Sequence, residues 1–481
     1  MLYHSTRGEK YCVDSSQAVL EGLAPDGGLY MPVSLPDFDW KKCLEGSSMD
    51  MSTAILSALL PDIPNMPQLV RNAYTGKFQT EDLTPTVPVG DFRVLELFRG
   101  PTSAFKDVAL SMLPQLLTAA KSLKGEESDI MILTATSGDT GKAALEGFHD
   151  VPGVRICVFY PDGGVSQVQR AQMVTQEGSN VAVCAVRGNF DDAQTGVKNI
   201  FAACQGKELP FALSSANSIN IGRLAPQVMY YFRSYKDLLD AGTIALGDAV
   251  NFSVPTGNFG DILAGYFAKK LGLPVGKLIC ASNANNVLTD FIQTGTYDRR
   301  RPLYKTTSPS MDILVSSNLE RLLYLMSGDT QLVGNLMKQL NTEGCYTVPD
   351  EMIQAIKAEF WAAFCDDDRA DAVMHSVYHE LGYLCDPHTA AGFAAAGDYI
   401  AETGDERPMV VLSTASPYKF PAAVLKAIGG DTSGNEFQQM ERLSQISGVA
   451  IPGNLAGLQG KPELHTNVID KDTMLDYVLN L

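Results

Sequence analysis

The sequence lacks the patterns that would place the chain in a membrane, on a nucleic acid or among disulfide-rich scaffolds. Its nine cysteines include no C-x-x-C pair, which argues against both a zinc site and a disulfide framework. No apolar run approaches the roughly 20 residues of a membrane-spanning helix. Basic residues number 37 against 55 acidic ones, and the net charge of −18 repels nucleic acid and anionic lipid. We therefore expect a cytoplasmic protein with reduced thiols and with neither a nucleic-acid nor a membrane partner.

What is present is a globular composition, with 45% hydrophobic and 19% charged residues over 481 positions. This length suggests two or three packed units. The proline-rich stretch LTPTVPVGDF (83–92) predicts a boundary between an N-terminal domain, 1–85, and a catalytic region, 86–481. Beyond it, apolar runs such as DIMILTAT alternate with amphipathic runs such as GKAALEGF, a pattern typical of parallel sheets covered by helices on both faces. We expect two α/β lobes, the smaller over roughly 128–240 and the larger over the remainder.

The stretch SVPTGNFGDILAGY (253–266) is a strand-to-helix junction suited to a phosphate group. Gly257 and Gly260 let the backbone approach a ligand, and the helix start offers free N–H groups to an anion. Thr256 and Asn258 could add side-chain hydrogen bonds. The spacing is not G-x-G-x-x-G, which argues against a dinucleotide enzyme, and a tight turn without a ligand explains the stretch in isolation nearly as well.

A second junction, ILTATSGDTGKAALEG (132–147), contains a Gly-Lys pair that invites comparison with a nucleotide-triphosphate loop. That loop needs glycine where Thr136 stands and serine or threonine where Ala143 stands, so the spacing rejects it. What remains is a hydroxyl-rich loop at a helix start, suited to a carboxylate or a phosphate. Simple helix capping by Ser137, Asp139 or Thr140 is the alternative.

Lys106 in FRGPTSAFKDV (98–108) is either a surface lysine or a nucleophilic amine at the start of a helix. Arg223 could pair with a phosphate or a carboxylate, although such arginines are more often surface ion-pair partners. His375 and His379 stand four residues apart but lack a third ligand, so we expect no metal site.

An amine, a phosphate cradle and a loop that holds anions together match pyridoxal phosphate, whose aldehyde forms a Schiff base with lysine.

The whole chain also resembles threonine synthase of the microbial and fungal type, a pyridoxal-phosphate family of fold type II, the α/β fold of tryptophan synthase β subunit. The resemblance is carried by ordered stretches from end to end: STRG, AVLEGLAPDGGLYMP, LFRGPTSAFKD, TATSGDTGKAA, GNFDDAQ, SSANSINIGRLAPQ, PTGNFGDILAG, SPSMDILVSSNLERLL, DPHTAAG and STASPYKF. Dehydratases of this fold are not expected to carry the N-terminal APDGGLYMP segment, so that segment favours threonine synthase.

The resemblance implies roles for individual residues. It implies that Lys106 holds the cofactor as a Schiff base and that the hydroxyl of Thr414 meets the pyridine nitrogen. The residues implied to bind the cofactor phosphate, with the last one closing the loop, are Gly257, Asn258, Phe259, Gly260 and Asp261. The residues implied for the substrate carboxylate are Ser137, Gly138, Asp139 and Thr140. The residues implied to face the substrate phosphate are Ser218, Asn220 and Arg223, with Lys142 as a second candidate cation.

The implied reaction is the last step of threonine biosynthesis, in which O-phospho-L-homoserine and water give L-threonine and phosphate. A monomer or homodimer would carry it out. Two alternatives stay open: a phospho-lyase that yields 2-oxobutyrate, and a descendant that binds ligand without catalysis.

One residue departs from the wider fold. Relatives with SGNT in the carboxylate loop have asparagine beside the cofactor's 3-oxygen, whereas this chain has Asp139. An ionised carboxylate would repel a phenolate there. We expect Asp139 to be protonated, turned away or hydrogen-bonded to backbone.

Overall fold

The structure is a computed structural model that describes residues 1–136, 138–204, 207 and 209–481. Its strands are β1 Leu2–Ser5, β2 Gly8–Asp14, β3 Tyr30–Pro32, β4 Thr86–Val89, β5 Phe92–Glu96, β6 Asp129–Ala135, β7 Val154–Pro161, β8 Val181–Arg187, β9 Phe211–Ser214, β10 Val250–Pro255, β11 Val275–Ser282, β12 Thr296–Asp298, β13 Cys345–Thr347, β14 Phe360–Phe364, β15 Met409–Ser413 and β16 Asn467–Asp470.

Helices occupy most of the remaining chain. They are α1 Ser15–Glu21, α2 Trp40–Cys43, α3 Ser48–Leu59, α4 Met66–Tyr74, α5 Lys106–Lys124, α6 Asp139–Phe148, α7 Gln167–Val174, α8 Phe190–Cys204, α9 Ile221–Leu224, α10 Val228–Asp240, α11 Gly260–Lys270, α12 Val287–Thr294, α13 Leu319–Ser327, α14 Thr330–Glu343, α15 Asp350–Glu359, α16 Asp367–Leu381, α17 Pro387–Thr403, α18 Pro421–Ala427, α19 Glu436–Ser447, α20 Gly453–Ala456 and α21 Met474–Leu479. Short 3₁₀ helices lie at Ala225–Gln227, Pro309–Met311, Pro417–Lys419 and Lys471–Thr473.

A six-stranded sheet in the order β14-β11-β10-β15-β5-β4 forms the centre of the larger lobe. Its strands pair in parallel, except that β4 runs antiparallel to β5 at the edge. Every residue of β10 and β15 is buried, as expected for apolar strands covered on both faces. The predicted open parallel sheet with helices on both faces is confirmed.

A five-stranded parallel sheet in the order β16-β8-β7-β6-β9 forms the smaller lobe. The runs predicted as alternating strands and helices between 129 and 214 form β6 to β9 and α6 to α8. The C-terminal strand β16 pairs with β8. Residues 467–470 were expected in the larger lobe, but they form an edge strand of the five-stranded sheet. A short strand that is mostly exposed carries little apolar signal, so the sequence pattern did not reveal this pairing.

The N-terminal segment forms a three-stranded antiparallel sheet, β2-β1-β3, with α1 to α4 beside it. Its side chains pack into the same hydrophobic core as the larger lobe. The buried Tyr74 hydroxyl donates a hydrogen bond to the Val108 carbonyl of α5 at 2.9 Å. This contact joins the segment to the helix that begins at Lys106.

No helix among the described residues is long and apolar enough to cross a membrane.

Candidate active site

Lys106 is the first residue of α5, and its side chain is buried. Burial lowers the pKa of Lys106 to about 8; Lys419 and Arg223 act in the same direction, and the carboxylates of Asp139 and Asp261 oppose them. The Nζ atom lies 4.5 Å from the ring centroid of Phe105. A lysine with so low a pKa is partly neutral near physiological pH, as a nucleophilic amine requires.

The turn before Lys106 is held in place from two sides. Phe105 N–H donates to the Thr414 carbonyl at 2.8 Å, and Ala104 forms an isolated antiparallel bridge with Ala415. The Asp107 carboxylate accepts hydrogen bonds from the N–H and the hydroxyl of Thr102 at 2.9 and 2.5 Å. Asp107 therefore fastens the turn to the start of α5.

Thr414 directly follows β15 and is 4% exposed. Its carbonyl bonds the residue that precedes Lys106, so its hydroxyl belongs to the same small region as the amine. The antiparallel contacts between the two loops explain how residues 308 positions apart come together.

The predicted phosphate cradle is the loop between β10 and α11. Phe259 has a left-handed backbone with φ of 63°, and Gly260 begins α11. A Cβ on Gly257 would lie 2.6 Å from the Ser310 carbonyl oxygen, so only glycine fits there. Within residues 209–481, no protein acceptor meets the N–H groups of 257–260. Free amides at the start of an eleven-residue helix suit a phosphate dianion.

Side chains of the loop 308–318 hydrogen-bond to the backbone carbonyl groups of this cradle. The Ser316 hydroxyl donates to the Gly257 carbonyl at 2.8 Å, and the Asn318 amide donates to the Asn258 carbonyl at 3.0 Å. Two further side chains of the cradle, those of Thr256 and Asp261, are buried. Thr256 hydrogen-bonds the Val254 carbonyl through its hydroxyl at 2.6 Å. Burial raises the pKa of Asp261 to about 7.

The carboxylate loop between β6 and α6 is described except for Ser137, which lies outside the described residues. The Thr136 hydroxyl accepts from the N–H groups of Gly138 and Gly141, each at 2.9 Å. Gly138 has φ of 136°, and a Cβ there would lie 2.3 Å from Gln169. Thr140 is half-buried in the first turn of α6.

Asp139 is neither protonated nor hydrogen-bonded to backbone, which were two of the three alternatives expected from the sequence. Its carboxylate lies 2.7 Å from Lys419 Nζ and accepts a hydrogen bond from Gln169 Nε2 at 3.0 Å. Burial works against ionisation, but Lys419 and Lys106 outweigh it and lower the pKa of Asp139. The residue is therefore an ionised carboxylate that is neutralised by side chains rather than by backbone.

Arg223 is a buried cation without an ion-pair partner among the described residues. One Nη atom donates to the Ala216 carbonyl at 2.6 Å, while Nε has no hydrogen-bond partner. Burial lowers the pKa of Arg223 to about 10. Buried unpaired charge is costly, so a guanidinium kept here next to Lys106 indicates a site for an anion.

The other residues implied for the substrate phosphate have protein partners. The Asn220 side chain caps α9 by accepting from Gly222 N–H at 2.8 Å, and it donates to the Val19 carbonyl at 2.8 Å. The Ser218 hydroxyl accepts from the Asn318 amide at 2.9 Å. Lys142 forms an ion pair of 2.9 Å with Glu146. Their contacts with substrate stay predictions.

Several site residues were not singled out from the sequence. Lys419 and Ser310 lie inside stretches that carry the resemblance, but no local pattern distinguishes them. Lys106 Nζ lies 3.4 Å from the Ser310 hydroxyl, and Ser310 N–H donates to His388 Nε2 at 3.2 Å. Across the described ranges, no three His, Cys, Asp or Glu side chains are arranged to hold a metal ion.

These features define a class of protein. The buried amine and the cradle of free amides, whose Gly257 leaves no room for a Cβ, fit pyridoxal phosphate. A family model described as pyridoxal-phosphate dependent enzyme matches residues 83–415. The models of the threonine synthase N terminus and C-terminal region match residues 2–74 and 389–475.

Individual relatives narrow the class. Threonine synthase of Pseudomonas aeruginosa is 38% identical over 481 residues, covering 97% of this chain and 99% of the relative. The crystal structure of threonine synthase with bound pyridoxal phosphate from Brucella melitensis has a TM-score of 0.88 at 38% identity, covering 100% of this chain and 99% of that one. The chain belongs to the threonine synthase family, with a fold of type II.

Another group of relatives is longer. Threonine synthase-like 1 of Homo sapiens is 39% identical over 434 residues, which cover 86% of this chain but 58% of the relative. The chain thus spans little more than half the length of that protein.

Proposed function

We propose that the chain converts O-phospho-L-homoserine and water to L-threonine and phosphate. The observation that carries the proposal is a second anion site beside the amine. The amides of 257–260 suit the cofactor phosphate, and Arg223 is a separate buried cation next to Lys106. A substrate that brings its own phosphate would neutralise this guanidinium, whereas a non-phosphorylated amino acid would leave it buried and unpaired.

The side chains supply positioning and proton transfer. When bound, pyridoxal phosphate supplies an electron sink conjugated to the substrate's amino group. Lys106 Nζ, with a pKa near 8, accepts the proton from Cα and returns protons on the same face. Arg223 holds the phosphate that leaves from Cγ, and the loop 137–140 holds the carboxylate. Loss of a proton from Cβ expels that phosphate from Cγ, Cγ is then protonated, and water adds at Cβ.

The reaction is tested by identifying the products. The holoenzyme, incubated with O-phospho-L-homoserine, is expected to release equal amounts of L-threonine and phosphate, and Lys106→Ala is expected to release neither. Formation of 2-oxobutyrate without threonine would establish the phospho-lyase instead. Retention of substrate without turnover would favour a binding protein.

We also propose the broader organisation expected from the sequence. The chain divides near residue 85, in line with an antiparallel sheet that precedes Thr86 and with β4, which begins there. A cytoplasmic location is supported by nine free cysteines, seven of which are buried. A monomer or homodimer is proposed, which sedimentation of the purified chain distinguishes.

A further inference from the structure

Asp139 and Lys419 form a buried ion pair beside Lys106. Their side chains are 2% and 0% exposed, and Lys419 Nζ lies 2.7 Å from Asp139 Oδ1. Asp139 opens α6 after a strand of the smaller sheet, whereas Lys419 ends the 3₁₀ helix that follows β15 of the larger sheet. The pair therefore connects active-site loops of the two lobes.

The same pair reaches the turn that carries the amine. Lys419 Nζ donates to the Thr102 carbonyl at 3.2 Å, and Gln172 Nε2 of α7 donates to that carbonyl at 3.3 Å. On the other side, Gln169 holds the Asp139 oxygen that Lys419 contacts. Lys419 thus contacts both the loop at the start of α6, through its ion pair with Asp139, and the turn before Lys106, through its hydrogen bond to Thr102.

Charges of both signs face the Lys106 amine. Asp139 and Asp261 favour its protonated form, and Lys419 and Arg223 disfavour it. A fifth charged group, the buried Asp107, interacts with Lys419. Because Asp139 and Lys419 shift the pKa of the amine in opposite directions, each offsets part of the effect of the other, and the loss of either partner removes that offset.

We propose that Lys419 is a positioning residue for Lys106: its ion pair with Asp139 neutralises the acidic start of α6 and holds it against the turn that carries the amine. The consequence for turnover rests on the proposed function, but the consequence for the amine does not. Lys419→Met leaves Asp139 unneutralised, which favours the ammonium form. Asp139→Asn leaves Lys419 unneutralised, which favours the neutral amine. The double variant removes both effects.

The test measures the pKa of the Lys106 amine in the apoenzyme. Competitive labelling with an amine reagent across pH, followed by mass spectrometry of the peptide with Lys106, gives a midpoint for each variant. We expect the midpoint to rise by about one pH unit or more in Lys419→Met and to fall by a similar amount in Asp139→Asn. It should return to the wild-type value in the double variant and stay there in Lys419→Arg.

Lys426→Met is the matched control, because it breaks an exposed ion pair with Asp371 a few residues further along. Its midpoint should equal that of the wild type. Shifts of the same sign in both single variants, or no shift in either, would overturn the proposal. If the Lys419 variants do not fold, Asp139→Asn still decides, because a rise of its midpoint contradicts the proposed charge balance. Product analysis of the wild type tests the proposed function separately.

Discussion

Asp261 offers a quantitative test of how the site is built. It is 5% exposed at the start of α11, and burial raises its pKa from 3.8 to about 7. The folded state thus binds this proton more tightly than the unfolded state. The stability that Asp261 contributes is full below pH 4 and is lost as pH rises to 7. The ionised carboxylate then costs about 4 kcal/mol, at about 1.4 kcal/mol for each pKa unit.

Asp261→Asn should remove this cost. The asparagine oxygen can still accept the Ile262 N–H bond, which is 2.9 Å long in the structure. We expect the variant apoenzyme to gain about 2 kcal/mol of unfolding free energy at pH 5 and about 4 kcal/mol at pH 8. Urea unfolding at the two pH values measures both gains, with the cofactor removed so that its binding does not contribute.

Asp240→Asn is the control, since Asp240 is an exposed carboxylate that pairs with Lys236 on α10. Its effect should stay below about 1 kcal/mol at either pH. A variant at Asp261 that is no more stable than the wild type at pH 8 would refute the reasoning. An equal gain at pH 5 and pH 8 would also refute it, because the effect would then not follow ionisation.

Three further predictions concern single contacts. Gly257→Ala should weaken cofactor binding to the apoenzyme at least tenfold, because the added Cβ forces the cradle to shift. Gly397→Ala is the control, since no atom lies within 4 Å of its added Cβ, and it should leave binding unchanged. Absorbance titration with the cofactor measures both affinities. Thr102→Val should lower the unfolding free energy by about 1–3 kcal/mol, since the Asp107 carboxylate loses a buried hydrogen-bond donor. Unchanged stability in urea would show that this hydrogen bond does not stabilise the turn. Arg223→Ala should raise KM for the phosphorylated substrate while cofactor content stays near that of the wild type; equal loss of cofactor would assign Arg223 to the other phosphate.

Local sequence patterns predicted the elements because each depends on neighbours in the chain. The apolar run of β10, the glycines after it and the amphipathic run of α11 specify a strand, a turn and a helix within about twenty residues. The turn before Lys106 was predicted in the same way, and α5 begins at that residue. Such signals are sufficient to place a phosphate cradle and an amine on the correct elements.

The contacts that set the state of the site could not be predicted in this way. Asp139 forms an ion pair with Lys419, which lies 280 positions further along the chain. This ion pair offsets the cost of burying an ionised carboxylate in the loop. The edge strand β16 pairs with β8 after an equally long separation. In each pair, no local sequence pattern of one partner indicates the other, so these pairings can be identified only from the tertiary structure.

The charges of the site explain how an acidic chain can bind anions. A net charge of −18 repels a phosphorylated substrate at a distance, so attraction has to come from cations at short range. Lys106, Arg223 and Lys419 are all buried, where interactions between charges are stronger than in water. Lys419 is neutralised by Asp139, whereas Arg223 has no ion-pair partner among the described residues, so under the proposed function we expect the substrate phosphate to pair with Arg223. Under that proposal, the ion pair with Asp139 keeps Lys419 from competing with Arg223 for the substrate phosphate.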